Sequence, residues 1–234
     1  MLTRIAATAA ALVLVPSLAA CGGSSSSSTA VDAGGASTPT TSSSASPTSC
    51  DYPSDPQAPA ARKVDAPPAT PTVSGPVPAT IATTVGTLKA TLDADKAPCT
   101  VNSFVSLANQ GFYDNTPCHR LTTAGIYVLQ CGDPTGTGTG GPGYTIPDEV
   151  SPTDTYGAGT LAMANTGQPN SGGSQFFIVY KNTPLPPTYT VFGHITSGGV
   201  KAVQKVAAKG TDNAFGQGDG HPKTKVTITK VTAG

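Results

Sequence analysis

The sequence predicts a mainly β domain, a closed β-barrel with helices over its ends. Three observations carry this. Short apolar runs recur between turn-forming Gly, Pro, Asn and Asp residues. Helical spacing is confined to two isolated stretches. The run of sequence after residue 80 suits one domain of about 150 residues.

Taken from the N-terminus, Arg4, an apolar run over residues 5 to 15, and Leu18-Ala19-Ala20-Cys21 have the parts of a secretory signal peptide. The apolar run is too short for a comfortable membrane span. Small residues directly before a cysteine resemble a lipobox, so residues 1 to 20 are expected to be removed and Cys21 to carry lipid. An ordinary signal peptide with an accidental cysteine is the alternative. Residues 21 to 80 are rich in Ser, Thr, Ala, Gly and Pro and poor in large apolar side chains, which predicts a tether. Cys50 and Tyr52 are out of character for a linker, so residues 50 to 80 are expected to lie on the surface of the domain formed by residues 81 to 234.

Within that domain, residues 85 to 92 alternate as a strand, and Asp93-Ala94-Asp95-Lys96 turns the chain. A helix is predicted over residues 98 to 110, where Val101, Phe104, Val105 and Ala108 share a face and Gly111 lies just past the end. Strands follow at about 117 to 122, 126 to 131, 160 to 164, 176 to 180 and 190 to 195. A second helix over residues 200 to 209 carries Val203, Val206 and Ala207 on one face and stops at Gly210. Residues 226 to 231 give the closing strand.

The stretch from 160 to 180 holds the most chemical information. Two apolar runs flank a polar loop, with Met163, Phe176 and Phe177 as apolar surface and Asn165 and Gln175 as amides that both donate and accept. Such a seam binds peptide, with apolar walls for a side chain and fixed polar groups for the backbone. Ser174 lacks the flanking glycine pattern of a nucleophile elbow. Gly132 to Gly141 has no following Gly-Lys-Ser/Thr and reads as a surface loop rather than a nucleotide site. His119, His194 and His221 lack metal-ligand spacing, so no metal and no cofactor are expected. With 13 basic and 13 acidic residues, the chain offers no basic field for nucleic acid.

Together with Cys118-His119-Arg120-Leu121, Tyr127-Val128-Leu129-Gln130-Cys131-Gly132-Asp133 and Tyr189-Thr190-Val191-Phe192-Gly193, this stretch resembles the cyclophilin family of peptidyl-prolyl isomerases. Four motifs occur in the family's order between roughly residues 80 and 232. The resemblance implies a closed eight-stranded antiparallel barrel capped by two helices, and catalysis by Arg120 with Gln130. A fixed guanidinium suits the task, because rotation about X-Pro frees a lone pair on the prolyl nitrogen that Arg can hydrogen-bond without transferring a proton. The resemblance further implies a proline pocket of Tyr127, Val128, Phe177 and Leu185 with Tyr189 at the rim. Ala164, Asn165 and Gln175 complete the substrate-binding set, Asn165 through its main chain, and Gln130 both binds substrate backbone and steadies Arg120. Phe176, on the opposite strand face from Phe177, is expected to be structural, as is His119 on the face opposite Arg120.

Three features depart from the family pattern. Tyr127 stands where phenylalanine is common, the turn Thr122-Thr123-Ala124-Gly125 is slightly longer, and Pro184 occupies the place of a tryptophan associated with tight cyclosporin binding.

Beyond Cys21, the four cysteines favour disulfides in an exported chain. Cys118 and Cys131 lie on strands expected to form a hairpin, which leaves Cys50 to pair with Cys99. Free buried thiols are the alternative. The sequence thus points to a membrane-tethered, extracytoplasmic, monomeric isomerase acting on proline-containing polypeptides. A non-catalytic adaptor or holdase using the same groove is the rival, and a hydrolase would need a nucleophile that the motifs lack.

Overall fold

Alternation of apolar and polar residues builds the first hairpin. The structure is a computed structural model that describes residues 49–56 and 58–234, so Cys21 and the leader lie outside the described residues. Strands β1 (Pro76–Thr83) and β2 (Gly86–Asp93) pair antiparallel and bury Val77, Ala79 and Ile81 against Leu88, Ala90 and Leu92. Strand β1 starts inside the stretch whose composition reads as tether. Its Pro76 and Pro78 are tolerated because β10 (Thr227–Ala233) pairs with β1 only from Ala79 onward, so the missing N–H groups break no ladder on that side.

Helix α1 (Pro98–Asn109) opens on a proline at its first turn, where an N–H would be unpaired anyway. Ala97 offers no side-chain cap. Instead the Glu149 carboxylate accepts the N–H groups of Cys99 and Thr100, each at 2.8 Å, a favourable place for negative charge. Helix α2 (Ser197–Ala207) begins before the predicted Val200, because Gly198 and Gly199 weigh against helix in sequence. The packing favours one of them: a Cβ at Gly199 would come within 3.2 Å of the Ile195 side chain.

The remaining strands are β3 (Thr116–Pro117), β4 (Arg120–Thr122), β5 (Val128–Cys131), β6 (Thr160–Met163), β7 (Phe176–Val179), β8 (Val191–Ile195) and β9 (Asp219–Gly220). They join one sheet in the order β3-β10-β1-β2-β8-β6-β7-β5-β4-β9. The expected closed eight-stranded barrel is therefore corrected, among the described residues, to an open, curled sheet of ten strands with two helices. Its end strands β3 and β9 are two residues long, and Pro117 has no N–H to extend a ladder. The predicted single strand over 117 to 122 is broken at Cys118 and His119, and there Cys118 donates to the Val226 carbonyl at 2.9 Å.

The two sheet faces make two apolar clusters. The larger includes Leu88, Leu92, Phe104, Phe112, Tyr113, Leu161, Phe176 and Phe192, all at most 1% exposed. Phe176 meets Phe104 edge-on at 5.6 Å. The smaller gathers Val128, Tyr156, Ala162, Phe177, Val179 and Val191.

The arm before β1 is tied at Ser54 and Ala60 to the loop at Tyr144 and Gly141, and at Cys50, Pro68 and Thr72 to α1. Cys50 is buried and bonded to Cys99, and Cys118 is bonded to Cys131. Asn102 donates to the Pro68 carbonyl at 2.9 Å and accepts from the Thr72 N–H at 3.0 Å. Arg62 donates to the carbonyls of Gly111 and Phe112.

The Cys50–Cys99 bridge closes a 49-residue separation. Replacing both cysteines with serine should lower unfolding stability by about 4 kcal/mol in the chain-entropy model, read as a lower denaturation midpoint. An unchanged midpoint would show that side-chain packing alone holds the arm.

Candidate functional site

Strand register places the site. Arg120 pairs with Gln130, Gln130 with Phe177, Phe177 with Ala162, and Ala162 with Val191. Directly opposed residues share a sheet face, so one row runs from a cation through an amide to apolar side chains. Val128 is two residues from Gln130 and lies on the same face.

Above this row lies a cavity of about 120 Å³. Val128, Phe177, Leu185 and Tyr189 give it apolar walls, while Arg120, Gln130, Ala164 and Asn165 line its polar side. Phe177 meets Tyr189 edge-on at 5.4 Å, and Tyr189 meets Tyr156 at 6.1 Å, so the aromatic wall is braced from behind. Tyr156 also donates to the Tyr189 carbonyl at 3.0 Å.

Two expected members of the substrate-binding set do not line this cavity. Tyr127 packs edge-on to Tyr180 at 6.0 Å, with the Lys181 ammonium 4.2 Å from its ring centre. Ile126 lines the cavity instead. Its two-residue spacing from Val128 was the available signal, since Tyr127 between them must point elsewhere. Gln175 lies in an adjoining cleft of about 380 Å³ that shares Gln130, Ala164 and Asn165 with the cavity. The Asn165 side chain donates to the Thr188 carbonyl at 2.9 Å and accepts from the Gly167 N–H at 3.1 Å. Its main-chain groups make no hydrogen bond among the described residues.

The polar rim is built from a buried carboxylate outward. Asp133 is fully buried and accepts from the Thr135 N–H and hydroxyl and the Gly138 N–H, each at 2.7 Å. A Cβ at Gly140 would fall 2.0 Å from Asp133 Oδ1, so only glycine fits there. The loop that Asp133 shapes presents the carbonyls of Gly138 and Gly140 to Gln175 Nε2, at 2.9 and 3.0 Å. Gln175 Oε1 in turn accepts from Gln130 Nε2 at 2.8 Å. This fixes which end of each amide faces the cleft. In sequence Asp133 belongs both to the motif Tyr127 to Asp133 and to the surface loop Gly132 to Gly141, and Thr135, Thr137 and Thr139 at two-residue spacing after it are residues whose hydroxyls order turns.

Arg120 is not steadied by Gln130 as expected. Its Nε and Nη2 donate to the two carboxylate oxygens of Asp219 at 2.8 and 2.6 Å. That hydrogen bonding raises the arginine pKa further, against the opposing effect of burial. Asp219 sits 99 residues away in a stretch of glycine and polar residues, and no local pattern marks it. His119 is buried on the opposite face, its Nδ1 without a hydrogen-bond partner among the described residues, and burial lowers its pKa. Among the described residues, no group of three or more His, Cys, Asp or Glu comes together to hold a metal ion, and no helix is long and apolar enough to cross a membrane.

Comparison with known proteins gives a consistent result. The family profile described as cyclophilin type peptidyl-prolyl cis-trans isomerase/CLD matches residues 79–233. Proteins named "Probable peptidyl-prolyl cis-trans isomerase B" from Mycobacterium tuberculosis and Mycobacterium leprae are each 48% identical to the chain, over 78% and 77% of its length. The chain spans 63% and 65% of those two relatives. A crystal structure of a Cryptosporidium parvum cyclophilin type peptidyl-prolyl cis-trans isomerase superposes with a TM-score of 0.60 at 32% identity. It covers 68% of this chain and 98% of its own.

The Asp133 network carries a pH prediction. Burial pushes this carboxyl up, but hydrogen bonds from the Thr135 hydroxyl and the N–H groups of Gly140, Thr135 and Gly138 outweigh it, and the net shift is downward. A depressed carboxyl stabilises the fold fully above the ordinary carboxylate range and loses that contribution as pH falls through its lower folded value. Hydrogen-exchange protection of the Thr135 and Gly138 amides should therefore hold down to about pH 4 and decline below it. In Asp133→Asn protection should already be low at neutral pH. Protection unchanged in the parent between pH 5 and pH 2 would contradict this account.

Proposed function

Because the chain belongs to the cyclophilin-type peptidyl-prolyl cis-trans isomerase family, we propose that it accelerates cis/trans rotation of X-Pro bonds, with Arg120 as its catalytic group. The observation that carries the reading is the apolar cavity walled by Val128, Phe177 and Leu185 with a guanidinium on its polar side. A proline ring fills such a space, and its amide nitrogen then faces Arg120.

The barrier to overcome is amide resonance, about 18–20 kcal/mol for rotation. Twisting the bond localises a lone pair on the prolyl nitrogen, and a donor held beside it favours that geometry over either planar state. The unpaired main-chain groups of Asn165 suit the residue before proline, and Gln130 suits the substrate backbone. No proton moves and no covalent intermediate forms, so the buried, neutral-leaning His119 has no part in the step.

The substrates we infer are prolines in unfolded segments or loops of envelope and secreted proteins, reached from a lipid anchor at Cys21. The leader pattern before Cys21 and the two disulfides support an oxidising, extracytoplasmic setting. In this reading the domain acts as a monomer. A second reading, an adaptor or holdase that grips proline segments without turnover, is favoured by one observation: Asp219 already occupies part of the Arg120 guanidinium.

Exchange NMR on an X-Pro peptide separates the two. The full chain should accelerate exchange, and Arg120→Ala should lower the rate by about two to three orders of magnitude, as for loss of other transition-state donors. Binding without acceleration in the parent would favour the holdase. A native N-terminal peptide whose Cys21 lacks lipid would remove the anchor from the proposal.

A further inference from the structure

The carboxylate on Arg120 comes from a turn that is hydrogen-bonded to itself and to β4. Asp219 and Gly220 pair with Thr122 and Leu121 on β4, the strand that carries Arg120. The turn behind them closes on itself: Phe215 N–H donates to the Asp219 carbonyl at 3.1 Å, Asp219 N–H to the Gly216 carbonyl at 2.9 Å, and Thr123 N–H to the Gly218 carbonyl at 2.7 Å. The Asn213 side chain accepts from the Gly218 N–H at 2.8 Å. Gly218 has φ +78°, and a Cβ there would lie 2.7 Å from the Ala124 Cβ. The backbone of Asp219 is thus fixed on both sides, and its carboxylate reaches Arg120 on a short side chain.

Arg120 by contrast is a long side chain, 38% exposed, with many rotamers of its own. Pairing through Nε and one hydrogen of Nη2 settles its orientation in a bidentate geometry. Among the described residues, both N–H groups of Nη1 and the second N–H of Nη2 have no hydrogen-bond partner, and they lie on the edge of the fork turned away from Asp219. A twisted amide nitrogen needs one such donor at a fixed point, and a neutral nitrogen gains from the donor's placement more than from net charge.

We propose that Asp219 is a positioning residue of the isomerase, holding the Arg120 guanidinium so that its free edge donates to the prolyl nitrogen in the twisted state. This rests on the isomerase reading above and extends it to a residue that touches no substrate. The Asp219–Arg120 pair is then not the mark of an idle arginine. It is the means by which a surface side chain is held in one place before substrate arrives.

The test measures kcat and KM by exchange NMR on the full chain for the parent, Arg120→Ala, Asp219→Ala, Asp219→Asn and Asp219→Glu, and for Asp219→Ala combined with Arg120→Ala. Thermal midpoints are recorded alongside. Asp219→Ala and Asp219→Asn should lower kcat by about tenfold or more, with KM within about twofold of the parent. Asp219→Glu should recover part of the loss, and Asp219→Ala should add nothing in the Arg120→Ala background. An active parent with an impaired Arg120→Ala but an Asp219→Ala of parental or higher kcat overturns the positioning role alone. So does a loss of equal size in both backgrounds, which would mark general damage to the turn. A parent that fails to accelerate overturns the isomerase reading, an active parent whose Arg120→Ala keeps the parental rate overturns the role of Arg120 alone, and either result takes this inference with it.

Discussion

The structure depends on the register of β7 between β5 and β6. Phe176 and Phe177 are adjacent and nearly equally buried, yet they serve opposite faces: Phe176 completes the main core with Phe104 and Phe192, and Phe177 floors the cavity. A slip of one residue would exchange them and with them every side chain on the strand. Each buried phenylalanine contributes about 1.5–3 kcal/mol relative to exposure, so pairing of Gln130 with Phe177 and of Ala162 with Phe177 is enforced from both sides. The same register that closes the core therefore lines up Arg120, Gln130 and Phe177 as a site.

Around that row the protein spends polar groups in chains rather than singly. Asp133 orders a glycine-rich loop, the loop fixes Gln175, and Gln175 fixes Gln130. Asp219 does the same for Arg120 in one step. Both chains begin at a carboxylate held by backbone N–H groups or by a closed turn, and both end at a side chain facing the cavity. Donors arranged in advance cost no reorganisation when charge or a lone pair develops, which is the condition for them to assist a transition state. The apolar side is braced in the same manner, with Tyr156 behind Phe177 and Tyr189.

Much of this was legible in the sequence because it is local. Helical spacing located α1 and most of α2, period-two alternation located β2 and β10, and the strand-loop-strand pattern around residues 160 to 180 located β6 and β7, from which Phe177 reaches the cavity while Met163 and Phe176 join the main core. What escaped was non-local or locally disguised. Strand β1 hides behind Pro76 and Pro78, which are harmless only because β10 stops short of them. The open sheet follows from Pro117 at one end and a two-residue strand at the other, details smaller than any periodic signal. The resemblance places Tyr127 in the pocket, whereas alternation with Ile126 and Val128 turns it away, as the structure shows. Asp219 was out of reach, since its function appears only when β9 folds back against β4.

The most direct test of the account is where a proline ring sits. Intermolecular NOEs between an Ala-Pro-containing peptide and the isotope-labelled protein should connect proline ring protons to Val128, Phe177 and Leu185, with shifts at the Arg120 side-chain Nε. NOEs instead to Pro117, His221 and Val226, which line a separate cleft on the other side of β4, would contradict the assignment of the cavity as the proline site.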